Sequence, residues 1–513
     1  MVAIIKMSAA RRWFALVGVS LAVLAIGLDG TILSVALPTL ATALHAGESD
    51  LEWFSSGYLL VLAAAVLPAG LIGDRFGRKK TLLVSLALFG VGSAACAFAS
   101  DAAAFLAARL LLGQAGAGVV VMALSAITVL FDREERPKAV GVFAASNFIA
   151  LPLGPILGGW LLSHFWWGTL FLLNVPVVIL GLIVGWLLIP ESRSENKRGL
   201  DFVGVLASAG GLVAITAGMI EAGQNGWTND WALILMSAGA VLLATFIFWE
   251  RRVGAQGGDP LIDPALFESA SFTWGAILAA IGGLAMIGVI FTMPQFFQGV
   301  LGVDAQASGL RLLPLIGGLI LGAVPASRLA ARIGDRITLA GGFFLLAGGF
   351  LLGSLTDATS SVWFVVVWMA IVGIGAGVAT ATATSAALSR IGADESGIGS
   401  AVVQAIQKVG APLGTTVFGS VLSAVYLSHL TALGLPSAVA DEAHQSIFAG
   451  VAIAERTGPA ALLTSVRSAF VTGMDTAFLV CAGVGIVGAI LAVVFIPRRV
   501  AESAEEVAVV VSG

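Results

Sequence analysis

Cysteine, charge and histidine are all scarce in this chain. Two cysteines, Cys96 and Cys481, occur among 513 residues, each inside an apolar segment, so no disulfide framework is expected and both thiols are read as buried. Charged residues make up 11% of the sequence, against about 25% in a water-soluble globular domain, which excludes that class. The four histidines, His45, His164, His429 and His444, fall between apolar runs without metal-ligand spacing, and no metal site is expected. No GxxxxGK(S/T) stretch exists, so ATP is not expected as the energy source. The GIGAG at 373–377 lies inside an apolar run with no preceding strand, where glycines serve packing rather than phosphate binding. No nucleophile–base set stands out either, so neither catalytic residues nor a cofactor are expected.

What is abundant is apolar surface: 58% of residues are hydrophobic and the mean hydropathy is +1.01, the composition of a polytopic membrane protein. Apolar segments of spanning length begin near Trp13, Glu52, Lys80, Ala102, Ala139, Gly168, Phe202, Trp231, Phe272, Ser308, Thr338, Val362, Gly397 and Phe470. Fourteen spans put both termini on one side. With that side cytoplasmic, only Arg456 and Arg467 fall in an outer loop. Arg109, Arg311 and Lys408 lie within or at the edge of helices, and every other lysine and arginine is inside. Thirteen spans would destroy this asymmetry. The basic stretch before the first run (Lys6, Arg11, Arg12) resembles a signal peptide, but the run is too long for a signal core and has no small-residue cleavage site, so it is expected to be retained.

Shifting the chain by about 256–259 residues brings like segments into register: SVALPTL (Pro38) with IFTMPQF (Pro294), GQAGAGVVVMALSA with GIGAGVATATATSA, and LPLGPILGG (Pro155) with GAPLGTT (Pro412). The expected fold is therefore all-α, with two six-helix bundles related by a pseudo-twofold axis plus two inserted helices. The first bundle is expected over 1–190, the inserted pair over 191–260, and the second bundle over 261–500, including an external helical hairpin at 427–470 that turns at Gly458–Pro459. A cytoplasmic, disordered acidic tail follows at 501–513. Duplicated bundles of this kind mark secondary transporters, which bind substrate between the halves. The copies differ in charge: Asp29 corresponds to Ala285, Asp74 to Ala331 and Arg109 to Trp368, so ion coupling is expected in the first half.

Asp29 is the most expensive of these charges. It sits in LDGTILSVALP (28–38), 16 residues into the 25-residue run from Trp13 to Leu37, roughly 24 Å along a helix. An ionised side chain there costs on the order of 2.5–3.5 kcal/mol on insertion scales, which makes it a functional candidate by default. Arg109, about eight residues into the fourth helix, carries the same penalty. Between the second and third helices, GLIGDRFGRKK (70–80) offers Gly73 and Gly77 for a tight turn and Asp74, Arg75, Arg78 and Lys79 for bridges to a neighbouring helix, a cluster able to hold a cytoplasmic gate. An ordinary basic inner loop is the alternative.

GLIGDRFGRKK closely resembles the loop-2–3 motif of the major facilitator superfamily. LDGTILSVALP resembles the first-helix motif of its fourteen-helix drug:proton antiporters, with Ser34 where asparagine is usual. FLAARLLLGQAGAG (105–118) is similar to the fourth-helix motif and ALPLGPILGG (150–159) to the antiporter motif, with Gly154, Pro155, Gly158 and Gly159; PQFFQGVLGVDAQASGLRLLP (294–314) extends the match. The resemblance implies efflux of lipophilic drugs, antiseptics or antibiotics in exchange for protons, by alternating access in the cell membrane. The alternatives are a dedicated exporter of one metabolite, self-made antibiotic or lipid, and, more remotely, a membrane sensor or scaffold. It also implies a proton relay at Asp29 and Arg109, the other reading being a structural pair that fixes helix packing, and a kinked, leak-limiting fifth helix. Where antiseptic-exporting relatives carry carboxylates, this chain has Val403, Gln404 and Lys408, which favours neutral or anionic substrates. Lys408 equally fits a side chain snorkelling to the cytoplasmic face. The substrate cavity is expected to draw on Asp29, Phe291, Met293, Gln295, Gln404 and Lys408. The expected partners are a lipophilic small molecule, protons and the bilayer; the chain is expected to act as a monomer and not to bind nucleic acid.

Overall fold

A computed structural model describes residues 8–131, 135–193, 201–258, 260, 264–388, 396–430, 437–457 and 460–497. Outside it fall the Gly458–Pro459 turn, the tail, and several basic residues used above for orientation (Lys6, Arg133, Lys197, Arg198, Arg390, Arg498, Arg499), as do the side chains of Arg136, Lys138 and Gln404. Among the described residues there is no strand. The chain runs α1 (Ala9–Ala43), α2 (Glu48–Phe76), α3 (Arg78–Ala97), α4 (Ala102–Leu130), α5 (Arg136–His164), α6 (Thr169–Leu172), α7 (Asn174–Leu188), α8 (Phe202–Asn225) and α9 (Asp230–Ala255). It continues with α10 (Ala270–Gln295), α11 (Ala305–Arg311), α12 (Leu313–Ile333), α13 (Asp335–Gly353), α14 (Val362–Leu388), α15 (Ser396–His429), α16 (Ser437–Gln445), α17 (Ile447–Thr457) and α18 (Ala460–Phe495).

Each expected apolar segment is helical, and fewer than fourteen spans are counted among the described residues. Among the described residues 12 helices are long and apolar enough to cross a membrane, or 13 if α2, bent by 48° at Pro68, is one span. Proline removes a ladder hydrogen bond and its ring clashes with the preceding turn, which accounts for that bend. The 29-residue α5 includes residues whose side chains fall outside the description and is not among those counted.

Helix ends follow local chemistry. Asp101, Asp201 and Asp304 accept hydrogen bonds from the first turns of α4, α8 and α11, filling donors that have no partner within the helix. Between α2 and α3 the chain reverses at Gly77 (φ 115°), and between α12 and α13 at Gly334 (φ 89°), a region that disfavours any side chain. These two glycines lie at the repeat offset found in the sequence.

Packing sorts the helices into two groups. In the first, α1 lies on α5 and α7, and α4 on α2 and α3; in the second, α10 lies on α14 and α15, and α13 on α14 and α18. The α8–α9 pair packs on itself through Gly211, Gly218 and Gly239 and touches α2 and α15 through α8. Contacts between the groups gather at one end. Gln298 Nε2 donates to Val35 O (3.1 Å), Ser420 Oγ donates to Glu52 Oε2 (3.3 Å), and Ser55 Oγ lies 3.4 Å from Thr415 Oγ1. At the same end the Gly159 and Gly309 backbones seat against Ala305 and Pro155. The short helices α16 and α17 cover it, with Tyr426 donating to Ala443 O (3.0 Å).

Candidate functional site

The charges that looked unaffordable in the sequence meet each other. Arg109 on α4 donates from Nη1 to Asp29 Oδ2 on α1 at 2.5 Å, and both side chains are sealed from solvent (1% and 0% exposed). The remaining donors and acceptors are engaged by three further helices. Arg109 Nε donates to Phe54 O on α2 (3.1 Å), its guanidinium lies 4.2 Å from the centre of the Tyr58 ring, and Tyr58 donates to Ile26 O (3.2 Å). On the other side Asn174, at the start of α7, donates to Asp29 Oδ1 (3.3 Å) and to Ser93 Oγ on α3 (3.2 Å). Five helices of the first bundle thus converge on one ion pair. Removing one partner from such a pair strands the other's charge and costs about 3–5 kcal/mol.

The seam between α1 and α5 holds Asp29 in place. A Cβ on Gly154 would overlap Thr31, and one on Gly158 would overlap Ile32, so only glycine lets the two helices approach this closely. Thr31 Oγ1 donates across the seam to Ala150 O at 3.2 Å. Gly159 serves a different contact, on Ala305 of the second bundle, and Pro155 lies against Gly309. The four motif residues therefore join α5 to α1 on one side and to α11 on the other.

The 70–80 motif forms a separate cluster. Arg78 donates from Nη2 (2.8 Å) and Nε (3.0 Å) to Asp74 Oδ1, and Lys79 Nζ donates to Trp186 O (2.6 Å) at the end of α7. Glu191 completes it by accepting from Lys79 N (3.2 Å), and a Cβ on Gly77 would strike the Glu191 carboxylate. A Cβ on Gly73 would strike Met122 of α4, and the Arg75 guanidinium lies 5.8 Å from the Phe76 ring centre. This cluster ties the α2–α3 turn to α4 and α7 of its own bundle.

The expected cavity residues fall at two levels. Phe291, Met293 and Gln295 are fully buried on α10 near the closed end. Lys408 is half-buried on α15. Because Ala280 seats Gly410, Leu284 seats Gly414 and Phe418 abuts Gly288, α10 and α15 run parallel with an offset near 130 residues. Lys408 is thereby about 25 Å along the helix axes from Gln295, at 1.5 Å per residue. Sequence reasoning missed Asn174, Tyr58, Glu191 and Glu48, and it used Glu52 only to mark the start of an apolar segment. Asn174 was findable as a lone amide in FLLNVP; Tyr58 is one of only two tyrosines.

Among the described residues no group of three or more His, Cys, Asp or Glu side chains could hold a metal ion. Residues 19–415 match the Major Facilitator Superfamily. The chain is 30% identical, over 94% of its length and 91% of the relative's, to the tetracenomycin C resistance and export protein of Streptomyces glaucescens. It is 32% identical, over 93% and 96%, to the multidrug efflux pump LfrA of Mycolicibacterium smegmatis. In fold it resembles a bacterial homolog of the human lysosomal transporter Spinster, with a TM-score of 0.68 at 17% identity, covering 96% of this chain and 100% of that one.

Proposed function

The chain belongs to the Major Facilitator Superfamily, and from that premise we propose that it exports lipophilic drugs or antibiotics in exchange for protons by alternating access. The observation that carries this is the Asp29–Arg109 pair, buried where five helices of one bundle meet. Arg109 neutralises an ionised Asp29. A proton arriving at Asp29 frees the guanidinium from its partner, while the Asn174 hydrogen bond to Asp29, and Phe54 O and the Tyr58 ring beside Arg109, keep both side chains positioned through the exchange. Proton uptake and rearrangement of α1 against α4 are then one event, and substrate release follows from it. The names of the relatives, a tetracenomycin C export protein and a multidrug efflux pump, support export as the direction.

The placement of lysine and arginine supports a plasma-membrane orientation with both termini cytoplasmic and fourteen spans. In that orientation the end where the bundles meet faces outward, and a drug would enter from the opposite, cytoplasmic end. The proton gradient is the energy source, no cofactor is needed, and one chain suffices. Lys408 on the inward-facing stretch of α15 favours neutral or anionic substrates. The test is drug-induced proton release from energised inverted vesicles: the native chain releases protons on drug addition, and Asp29→Asn loses at least nine-tenths of the signal. Full coupling in that variant overturns the proposal. Similarity to the tetracenomycin C protein also favours a narrower reading, export of a single antibiotic. Growth of a pump-deficient host across a drug panel separates the two.

A further inference from the structure

A second pair of acids lies in the contact between the bundles, and the export mechanism above makes no use of it. Glu48 and Glu52 stand one turn apart on α2, 4% and 0% exposed, with one carboxyl oxygen of each lacking a hydrogen-bond partner. Across the interface Ser420 of α15 donates to Glu52 Oε2 (3.3 Å). From α10 the fully buried Gln295 faces Glu48, yet neither its amide nitrogen nor its oxygen completes a hydrogen bond. Polar groups buried this deeply without partners are rare, because each has given up its hydrogen bonds to water without replacing them. Three such groups turned toward each other form a site with something missing from it.

What is missing is small and positive. No ion pair reaches either glutamate among the described residues. The nearby charges are committed elsewhere: Arg109 of α4 is bound to Asp29 and Phe54 O, Asp50 accepts from Gly47 N (3.0 Å), and Tyr426 of α15 donates to Ala443 O. From α8, Gln224 is bound to Ser423 (2.9 Å), and His45 in the α1–α2 turn is exposed. Space excludes anything large. A Cβ on Gly419 would sit 2.5 Å from Glu52 Cγ and Cδ, so the α15 backbone presses directly on that side chain. Among the described residues no third His, Cys, Asp or Glu joins the two carboxyls to make a metal-binding group.

We propose that Glu48, Glu52 and Gln295 form a second proton-binding site, separate from Asp29, which is filled while the bundles are closed at this end and empties when they part. A protonated carboxyl supplies the donor that the Gln295 oxygen lacks and removes one charge from a glutamate pair that no ion pair reaches among the described residues. Separation of α2 from α10 and α15 admits water, which solvates the carboxylates and lets the protons leave. Closure of this end is thereby linked to pH, whatever the cargo. The proposal rests on the alternating-access reading only in requiring that this end can open.

The test therefore needs no substrate. Spin labels at Thr42 of α1 and Ser428 of α15, both exposed at this end, report its opening in the full-length protein with Cys96 and Cys481 replaced by alanine. The labelled chain shifts from one short distance at acidic pH to a longer one at alkaline pH. The Glu48→Gln, Glu52→Gln double variant, isosteric and checked for folding by size exclusion, stays at the short distance throughout. Glu52→Asp keeps the transition, and Asp29→Asn also keeps it. An unchanged transition in the double variant overturns the proposal, as does one that follows sodium or organic-cation concentration at fixed pH. If Asp29→Asn abolishes drug-driven proton release while this transition persists, both readings stand. If proton release is unaffected in Asp29→Asn, the export mechanism fails and this site does not.

Discussion

The first and second bundles put different chemistry at matching places. Where the first has Asp29 and Arg109 bridged at 2.5 Å, the second has Ala285 and Trp368, both buried. Trp368 packs on Phe478 with ring centres 5.2 Å apart, and Phe478 in turn meets Phe350 and Phe418. Under the proposed mechanism an ion pair at the centre of a helix bundle gives that bundle two states, paired and protonated. An aromatic cluster gives one, held by dispersion and burial, with the Trp368 indole N–H left without a partner. The duplicated scaffold thus carries a buried ion pair in one half and an aromatic cluster in the other, and under the proposed mechanism only the first can act as a switch.

The sharpest way to break this contrast is to exchange the two kinds of core. Arg109→Ala should abolish drug-driven proton release and destabilise the protein by about 3–5 kcal/mol, because Asp29 is left buried and unpaired. Trp368→Ala should destabilise by a comparable amount, about 3–5 kcal/mol, through the cavity it opens, yet the remaining folded protein should keep its ratio of protons to drug. Thermal unfolding in detergent measures the first quantity and vesicle flux the second. If Trp368→Ala uncouples transport, the second bundle is not a passive wall and the comparison fails.

A smaller difference lies in how each bundle closes its leading seam. In α10–α15, a Cβ on Gly414 would run into the Leu284 backbone; in α1–α5, a Cβ on Gly154 would meet mainly the Thr31 side chain. Backbone cannot step aside as a side chain can. Both Gly→Ala substitutions are overpacking changes of about 1–3 kcal/mol, and Gly414→Ala should be the worse of the two by thermal unfolding. Gly154→Ala should in addition slow transport, since Thr31 lies two residues from Asp29. A Gly154→Ala variant as unstable as Gly414→Ala would show that the two seams are equally rigid.

Much of this contrast was legible in the sequence. Hydropathy located every long helix, and the repeat offset of about 256–259 residues that pairs Pro38 with Pro294 also covers Gly77 and Gly334 at the two left-handed turns. Asp29 and Arg109 announced themselves because a charge in a long apolar run has nowhere inexpensive to go. Asn174 and Tyr58 gave a weaker signal, a lone amide and a scarce tyrosine: either is tolerated in apolar surroundings, and which helix faces which is not written in periodicity. Glu48 and Glu52 were obscured for a related reason. At the edge of an apolar segment an acid looks like a solvated flank, and only the packing of α15 and α10 over that edge buries it. Glu191 was illegible because its role depends on the end of α7 returning to the α2–α3 turn.

The faintest echo of the contrast is at the helix starts, and it makes the finest test. Asp101 caps α4 by accepting from Ala104 N at 2.8 Å, whereas Ser361 caps α14 by accepting from Phe364 N at 3.2 Å. The Ala104 N–H and the Ser100 hydroxyl both bind the ionised Asp101 carboxyl, which holds its pKa below the ordinary 3.8. A carboxyl whose pKa is lowered by folding stabilises the native state above its unfolded value, and that contribution fades as pH falls through the lowered one. Serine has no proton to exchange in that range. Unfolding temperature measured from neutral to acidic pH should therefore fall slightly less in Asp101→Ser than in the native chain, and slightly more in Ser361→Asp. Asp101 is open to water, so its charge is screened and the difference should shrink further in high salt. If both variants follow the native pH curve at low salt, the two caps are equivalent and the charge asymmetry between the bundles stops at their cores.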